Sequence, residues 1–290
     1  MNLHKQCINC ASIEIFPYKN YYNKGIVKCK NCGLLFMEKN PSIEELNTVY
    51  SVYSYGKEAD VSPVTEKNYN KLLNEFDKYR KTNKILDIGC GRGWFLVEAM
   101  RRGWDVSGTE YGDTVVNLCL KEGINMVKGK LNSNDFEEKA FDVITSFEVL
   151  EHIINHNEEL INIHKLLRKG GLFYCTTPNF NALLRYKYKE NYSIISYPEH
   201  LTYFTSKTLS KIVTQNKFSK EKIITTGISF NHKNTNQKQQ IQNENSSFII
   251  DEQVRRKIEQ NKLLKITKYI VNKVFIITNT GFTLKGYFIK

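Results

Sequence analysis

The chain has 290 residues, of which 41% are hydrophobic and 25% are charged, and its formal net charge is +12. These values are ordinary for a soluble protein, and the length allows one large domain plus a small module. We find no secretory signal pattern in residues 1–10 and no apolar run of the ~18 residues that a membrane span requires. The charge is concentrated at the carboxyl end, because residues 231–290 hold 11 Lys and Arg against 4 Asp and Glu.

Four cysteines form two pairs near the amino terminus, Cys7-x2-Cys10 and Cys29-x2-Cys32, separated by 18 residues. This spacing is typical of four-cysteine zinc sites, in which four thiolates surround the metal as a tetrahedron. Four protein ligands leave no open position for chemistry, so we expect structural zinc in a ribbon of short strands. Four unrelated cysteines, or two disulfides, are the alternative. Paired cysteines of this kind favour a reducing compartment, and we expect a cytoplasmic protein.

A glycine-rich loop follows the first apolar strand of the central region. Asp87 lies two positions before the first of three glycines, Gly89, Gly91 and Gly93, and residues 94–102 predict a helix. Glycines permit a sharp turn and let a ligand approach the backbone, and the helix start offers unpaired N–H groups. The spacing favours a nucleotide-type site; a plain strand–turn–helix junction is the alternative.

Three further segments follow this loop in order. Residues 104–110 predict a second strand that ends in Glu110, about twenty residues after the first glycine, where a carboxylate binds ribose hydroxyls. Residues 141–153 predict a strand and then a helix with a Leu-Glu-His sequence. Residues 166–178 predict a helix end, a Gly-Gly turn and another strand.

The four segments between residues 84 and 178 resemble, in order and spacing, the motifs of the class I S-adenosylmethionine (SAM) methyltransferases. The resemblance implies an α/β fold, with a Rossmann-like seven-stranded sheet covered by helices on both faces and preceded by a four-cysteine zinc ribbon. It implies a ribbon over residues 1–40, a linker and lid over 41–80, and the SAM-binding domain over 81–290. The cofactor-binding residues that it implies are Asp87, Gly89, Cys90, Gly91, Gly93, Glu110, Leu131 and Phe147.

A zinc ribbon ahead of such a domain is similar to the bacterial methyltransferases related to sugar C-methyltransferases. In those enzymes a tyrosine-rich segment folds over the SAM pocket, which makes Tyr50, Tyr53 and Tyr55 candidate lid residues and adds Tyr53 and Tyr55 to the cofactor site. The alternative is a linker whose rings pack on the core. Residues 68–79 then predict a helix that leads into the first strand.

We expect the methyl acceptor to lie beside residues 179–197, because open α/β sheets bind ligands outside the carboxyl ends of their strands. The string from Tyr197 to residue 205 resembles the substrate-side motif of the family. It implies that Glu199 and His200, with Tyr197, hold or deprotonate the acceptor. The alternative is that the Glu-His pair only caps the next helix. We expect His152 to shape the pocket near SAM without transferring protons.

Two features depart from the family pattern. Lys130 occupies the position of an acid that contacts adenine in relatives, and lysine cannot accept a hydrogen bond. Adenine is then held by a backbone group near Leu131, or by Asn132 or Asn134. The second Rossmann-like half of the sugar C-methyltransferases is also missing from this sequence, so the substrate class does not follow from the resemblance.

The tail predicts the last two strands over residues 220–228 and 282–289, with a polar segment over 231–247 and a basic amphipathic helix over 252–276 between them. The apolar stripe of this helix packs either on its own domain or on an anionic membrane.

We therefore expect a SAM-dependent methyltransferase with a small-molecule acceptor, a sugar or nucleotide-sugar of polysaccharide or secondary-metabolite biosynthesis. One alternative is an RNA base methyltransferase with a zinc module, which the basic tail would suit, although Ser146-Phe-Glu148 stands where an Asn-Pro-Pro-Tyr-type motif would lie. The other is a SAM-binding protein without activity.

Overall fold

The computed structural model describes residues 3–52, 61–229, 257–258 and 260–290. The candidate lid residues Tyr53 and Tyr55 and the polar segment 231–247 lie outside these residues, as does the side chain of Tyr50.

Eleven strands and eight α-helices have both of their ends in the described part of the chain. The strands are β1 Ile15–Pro17, β2 Ile26–Cys29, β3 Leu35–Met37, β4 Lys84–Ile88, β5 Asp105–Glu110, β6 Asn125–Lys128, β7 Phe141–Phe147, β8 Leu167–Pro178, β9 Thr202–Tyr203, β10 Ser219–Thr226 and β11 Thr283–Ile289. The helices are α1 Ile43–Val52, α2 Pro63–Phe76, α3 Trp94–Arg101, α4 Asp113–Lys121, α5 His156–Leu166, α6 Leu183–Tyr188, α7 Ser206–Gln215 and α8 Lys262–Thr278.

Seven strands form one sheet in the order β10-β11-β8-β7-β4-β5-β6. Strand β11 runs antiparallel to both of its neighbours, and the remaining pairs are parallel. Ile85 and Val143 contribute to one apolar cluster, and their neighbours Leu86 and Ile144 to another. Because successive side chains of a strand point to opposite faces, the sheet is covered on both sides. The class I methyltransferase fold predicted from the sequence is thereby confirmed.

Two local predictions are corrected. Helix α2 begins at Pro63, earlier than expected, because Ser62 caps it by accepting a hydrogen bond from the Thr65 N–H and proline suits a first helical turn. The expected Gly-Gly turn lies inside the continuous strand β8, beside a shift of register between residues 141 and 143 of β7.

A second, four-stranded sheet has the order β1-β2-β3-β9. Its first three strands form the cysteine-bearing ribbon, whereas β9 follows shortly after the Glu199-His200 pair. The β3–β9 pairing is antiparallel, with Leu35 opposite Tyr203. The ribbon is therefore hydrogen-bonded to the segment predicted to contact the acceptor, which the sequence did not indicate.

Helix α8 lies in the tail before the last strand, but it begins at Lys262, later than expected, because the Asn261 side chain caps it by accepting hydrogen bonds from the Leu263 and Leu264 N–H groups. Packing of its apolar stripe on the domain was the wrong alternative for the described residues, since Leu263, Ile266, Ile270 and Val274 are all exposed. Among the described helices, none combines the length and apolar character needed to span a bilayer.

Candidate functional site

The glycine loop lies at the carboxyl end of β4, where it leads into α3. Gly89, Gly91 and Gly93 have φ of 64°, 53° and 70°, a left-handed region that side chains other than hydrogen disfavour. A Cβ on Gly89 would lie 2.7 Å from a methyl of Val149, and one on Gly93 would lie 2.6 Å from Ile124 Cδ1. Both the backbone conformation and the packing therefore require glycine here.

The acid predicted to bind ribose lies against this loop. Glu110 ends β5, and its Oε2 accepts a hydrogen bond of 3.1 Å from the Gly91 N–H while its Oε1 accepts one of 2.7 Å from the Tyr111 N–H. A carboxylate has about four acceptor positions, so these bonds orient Glu110 and leave capacity for two hydroxyls. The structure thus brings the glycine loop and Glu110 together, as a nucleoside site requires.

Asp87 is buried in β4 directly before the loop. Its Oδ1 accepts a hydrogen bond of 2.7 Å from the Thr145 hydroxyl. Burial raises the pKa of Asp87 to about 7, against the opposing effect of the Thr145 hydrogen bond, and the charge of Glu110 adds to the rise. Burial, with the charge of Asp87, also raises the pKa of Tyr69 to about 12. Tyr69, on α2, is a neighbour of the site that the sequence analysis missed.

Three further candidates place their side chains in the core. The Phe147 ring makes an edge contact with Phe95 at 5.0 Å. The Cys90 thiol lies 3.8 Å from the Met126 sulfur, in space that Gly108 leaves open. Leu131 is buried. A cofactor contact by Leu131 would use its backbone. The cofactor-binding roles of Cys90, Leu131 and Phe147 stay predictions.

Lys130, which replaces the usual acid, and the adenine candidate Asn132 both make local contacts. Lys130 forms an ion pair of 2.7 Å with Glu158 on α5. The Asn132 side chain accepts a hydrogen bond of 3.0 Å from the Asn134 N–H. Lys130 therefore points to α5, and the group that binds adenine is not identified by these contacts.

A cavity of about 400 Å³ opens beside the carboxyl ends of β7 and β8. Its lining residues are Glu148, Glu151, His152, Pro178, Ser193, Ile194, Glu199, His200 and Phe282. The structure places Glu199, His200 and His152 at this cavity, and it adds Glu148 and Glu151, which the sequence analysis did not single out. Glu148, Glu151 and His152 occupy positions i, i+3 and i+4, a spacing that places side chains on one side of a helical turn and that could have indicated the two acids. Val149 packs against Gly89 of the glycine loop and directly follows the cavity residue Glu148 in the chain.

The two histidines of the cavity are paired. Their rings lie 5.1 Å apart at 73°, and each Nδ1 bonds a backbone carbonyl: His152 to Glu199 at 2.7 Å, and His200 to Ile194 at 2.8 Å. A carbonyl only accepts, so Nδ1 carries the hydrogen in both neutral rings and each Nε2 keeps its lone pair. Burial lowers the pKa of His152, which favours that neutral form. Both Nε2 atoms are thus suited to accept a proton or to ligate a cation.

Glu151 extends this pair into a candidate cation site. Its Oε2 accepts a hydrogen bond of 2.9 Å from the Thr177 hydroxyl, while its buried Oε1 has no hydrogen-bond partner and lies 3.9 Å from His152 Nε2. One ligand atom each from Glu151, His152 and His200 fall within 4.8 Å of one another. Two imidazoles and one carboxylate are a donor set that divalent transition metals accept, and the unpartnered oxygen fits a cation.

Two residues of the predicted acceptor region have other contacts. The Tyr197 hydroxyl donates to Glu45 on α1 at 3.1 Å, and Tyr197 does not line the cavity. Arg185 is buried and donates a hydrogen bond of 2.6 Å to the Tyr21 hydroxyl of the ribbon. Tyr197 and Arg185 therefore fasten neighbouring segments, and a catalytic role for Tyr197 stays a prediction.

The four ribbon cysteines are grouped as zinc would require. The Sγ atoms of Cys7 and Cys32 lie 3.5 Å apart and those of Cys10 and Cys29 lie 3.6 Å apart, and all four fall within 4.8 Å. A tetrahedral zinc–thiolate site places its sulfurs roughly 3.8 Å apart. The Cys32 N–H also donates to the Cys29 sulfur at 3.4 Å, which stabilises a thiolate. The geometry fits one structural zinc ion.

Comparison with known proteins agrees with this geometry. A family model described as a methyltransferase domain matches residues 62–223, which is more than half of the chain. The chain belongs to the methyltransferase domain family. The matched residues include the glycine loop, Glu110 and the histidine pair.

Curated relatives of this methyltransferase-family chain include two ubiquinone biosynthesis O-methyltransferases. The protein of Pseudomonas syringae pv. tomato is 32% identical over 106 residues, which cover 34% of this chain and 45% of that protein. The protein of Saccharophagus degradans is 34% identical over 106 residues, which cover 34% and 44%. The chain thus spans less than half the length of these relatives, and neither of them is named as a sugar C-methyltransferase.

Solved structures share the fold. A SAM-dependent methyltransferase from Archaeoglobus fulgidus aligns with a TM-score of 0.52 at 17% identity, covering 78% of this chain and 94% of that one. A SAM-dependent methyltransferase from Mesorhizobium loti aligns with a TM-score of 0.50 at 14% identity, covering 75% and 96%. At such identities the likeness shows the fold alone.

Proposed function

We propose that this chain transfers the methyl group of SAM to a hydroxyl of a small molecule bound in the cavity. The observation that supports the proposal most is the pairing of His152 and His200 in the cavity, where backbone carbonyls hold both Nδ1–H groups and make Nε2 the basic nitrogen of each ring. An oxygen nucleophile needs a base at that position, and a neutral imidazole is one.

Methyl transfer is a displacement at the sulfonium carbon of SAM, which already carries a good leaving group. The protein then has two tasks, to align the acceptor oxygen with that carbon and to take its proton. In the proposal His200 removes the proton at Nε2, while its Nδ1–H bond to Ile194 holds the ring. The backbone carbonyl of Glu199 orients His152 in the same way.

The proposed cation site would assist the same step. Glu151, His152 and His200 would hold a divalent ion, which lowers the pKa of a hydroxyl bound to it. With the ion bound, His200 Nε2 would be a ligand and the ion would replace it in promoting loss of the proton, because one lone pair cannot do both. The zinc of the ribbon is proposed separately as a structural ion.

Two acceptor classes fit a hydroxyl-methylating pocket. A sugar or nucleotide-sugar is the acceptor expected from the sequence. An aromatic alcohol is the other, since the relatives are named for O-methylation in ubiquinone biosynthesis and Ile194, Pro178 and Phe282 give the cavity an apolar wall. A phenol has a pKa near 10, closer to that of imidazole, so the aromatic class suits a histidine base better.

The test is transfer of label from methyl-labelled SAM to nucleotide-sugars, to phenolic ubiquinone precursors and to total RNA, each with a chelator or with Mg²⁺. Label on a hydroxyl of either small-molecule pool supports the proposal, and its pool decides the acceptor class. Label only in RNA, or SAM binding without transfer to any pool, would overturn it. His164→Ala is the control variant, because His164 packs against Phe218 outside the cavity.

A further inference from the structure

Helix α8 presents a continuous apolar stripe to the outside of the molecule. The stripe comprises Leu263, Ile266, Ile270, Val274 and Ile277, which are 70%, 49%, 56%, 50% and 79% exposed. Their spacing of three and four residues places them on one side of the helix. At 1.5 Å per residue the stripe extends about 21 Å along the axis.

The opposite side of α8 attaches the helix to the domain. Phe275 is its buried residue, and the Phe275 carbonyl accepts a hydrogen bond of 2.6 Å from the Thr225 hydroxyl of β10. The Asn272 side chain accepts one of 2.9 Å from the Gly227 N–H. Residues 272 and 275 lie about 160° and about 140° around the helix from the centre of the stripe, at 100° per residue. The contacts with β10 therefore hold the stripe outward.

The charged residues of α8 itself are all lysines. Residues 262–278 contain lysines at positions 262, 265, 268 and 273 and no acidic residue. At the start of the helix lies an open depression of about 660 Å³, lined by Lys257, Gln260, Asn261, Lys262 and Leu264. An exposed apolar stripe on a helix that carries four lysines and no acid complements a surface that is apolar inside and anionic at its face.

We propose that α8 docks on an anionic lipid surface, with its stripe in the acyl boundary and its lysines among the headgroups. Tyr269, 63% exposed, adds an amphipathic ring of the kind found at that depth. A protein partner would meet a convex single helix instead of a groove, and it would need acidic residues to match the lysines. The charge pattern and the helix shape therefore favour lipid.

The docking surface is connected to the cavity. The Asn179 side chain donates to the carbonyls of Asn279 and Gly281, at 3.0 and 2.8 Å, directly after α8 ends. Phe282 follows and lines the cavity. Lipid docking would thus place the cavity near the membrane, and the inference holds whichever acceptor the cavity takes.

Co-sedimentation of the full chain with vesicles tests the inference. We compare vesicles of phosphatidylcholine alone with vesicles of about three parts phosphatidylcholine to one part phosphatidylglycerol. We expect at least about tenfold stronger binding to the anionic vesicles, weakened by added salt. Ile270→Glu and Val274→Glu should each reduce it about tenfold. Ile161→Glu is the matched control, since Ile161 is a 49% exposed isoleucine on α5.

Circular dichroism shows whether each variant is folded, and light scattering shows whether the chain is a monomer or a dimer. Folded Ile270→Glu protein that binds anionic vesicles as the wild type does would overturn the inference. So would a wild-type dimer that Ile270→Glu dissociates, because the stripe would then cover a second copy of the chain. Both of these results concern lipid docking alone, and the methyl-transfer assay in solution tests the proposed function independently of them.

Discussion

The backbone N–H of Met37 donates a hydrogen bond of 2.9 Å to the carbonyl of Leu201. This bond joins the last strand of the cysteine ribbon to the residue that follows Glu199 and His200. Pairing of β3 with β9 continues the connection. A zinc ion held by the four ribbon cysteines would thereby influence the position of His200.

Removal of that zinc should impair methyl transfer. Binding energy of a structural zinc is folding energy for a module of this size, so Cys29→Ser or a strong chelator should loosen β3 and β9. We expect one zinc per chain by mass spectrometry, and at least a tenfold loss of turnover without it. Zinc added back to the chelated wild type should restore turnover, whereas Cys29→Ser should not respond. Full activity of the zinc-free protein would show that the ribbon does not position the site residues.

Replacement of His200 should slow the chemical step more than it weakens cofactor binding. A positioned general base contributes roughly 10²–10⁴ in rate, so His200→Ala should lose at least a hundredfold in kcat with the Kd for SAM unchanged. The rising limb of the wild-type pH profile should also disappear. Wild-type kcat and an unaltered pH profile would remove His200 from the reaction.

Substitution of Gly93 should destabilise the domain by two separate effects. Gly93→Ala introduces a left-handed alanine, at about 1–2 kcal/mol, and a Cβ that meets Ile124 and the Cys119 sulfur. Overpacking adds about 1–3 kcal/mol. Gly227→Ala is the matched control, because its φ of 78° is similar and no atom lies within 4 Å of its Cβ. Urea denaturation should show the larger loss of unfolding free energy for Gly93→Ala. Equal losses for the two variants would contradict the clash of the added Cβ with its neighbours.

Asp87 should make the cofactor-free protein less stable as the pH rises. Its pKa in the folded protein is about 7, against about 3.8 for an ordinary aspartate, so the folded state holds the extra proton between these values. The free energy of unfolding should then fall from pH 5 to pH 8, by a few kcal/mol at most.

The variant Asp87→Asn should lose this part of the pH dependence in urea titrations at pH 5, 6, 7 and 8. Asp113→Asn, a substitution at a side chain that is 74% exposed, should keep the wild-type dependence. A slope that persists unchanged in Asp87→Asn would assign the titration to another group.

The parts of the site that could be predicted from the sequence are those whose residues lie within short continuous segments. The glycine loop and Glu110 follow from residues at the ends of adjacent parallel strands, and the fold brings such ends to one edge. The pairing of His152 with His200 joins residues far apart in the chain, and it depends on the loop after β8, whose path no local pattern determines. Tyr69 was missed for the same reason.

The helix pattern at α8 illustrates another limit. A period of 3.6 residues predicted the helix, but the same period describes a stripe that packs on its own domain and one that faces outward. Which of the two arrangements occurs depends on whether β10 packs against the stripe or against Phe275. That is a tertiary contact, which the period of the helix does not determine. Likewise β9 has two residues, too few for a sequence pattern, and its pairing partner lies in the ribbon.

Titration calorimetry with SAM measures the central feature of the account, a nucleoside bound between the glycine loop and Glu110. We expect one SAM per chain with a micromolar Kd for the zinc-loaded wild type, and at least tenfold weaker binding by Glu110→Ala, which removes the carboxylate from Gly91. Folded, zinc-loaded protein that shows no heat with either SAM or S-adenosylhomocysteine would contradict it.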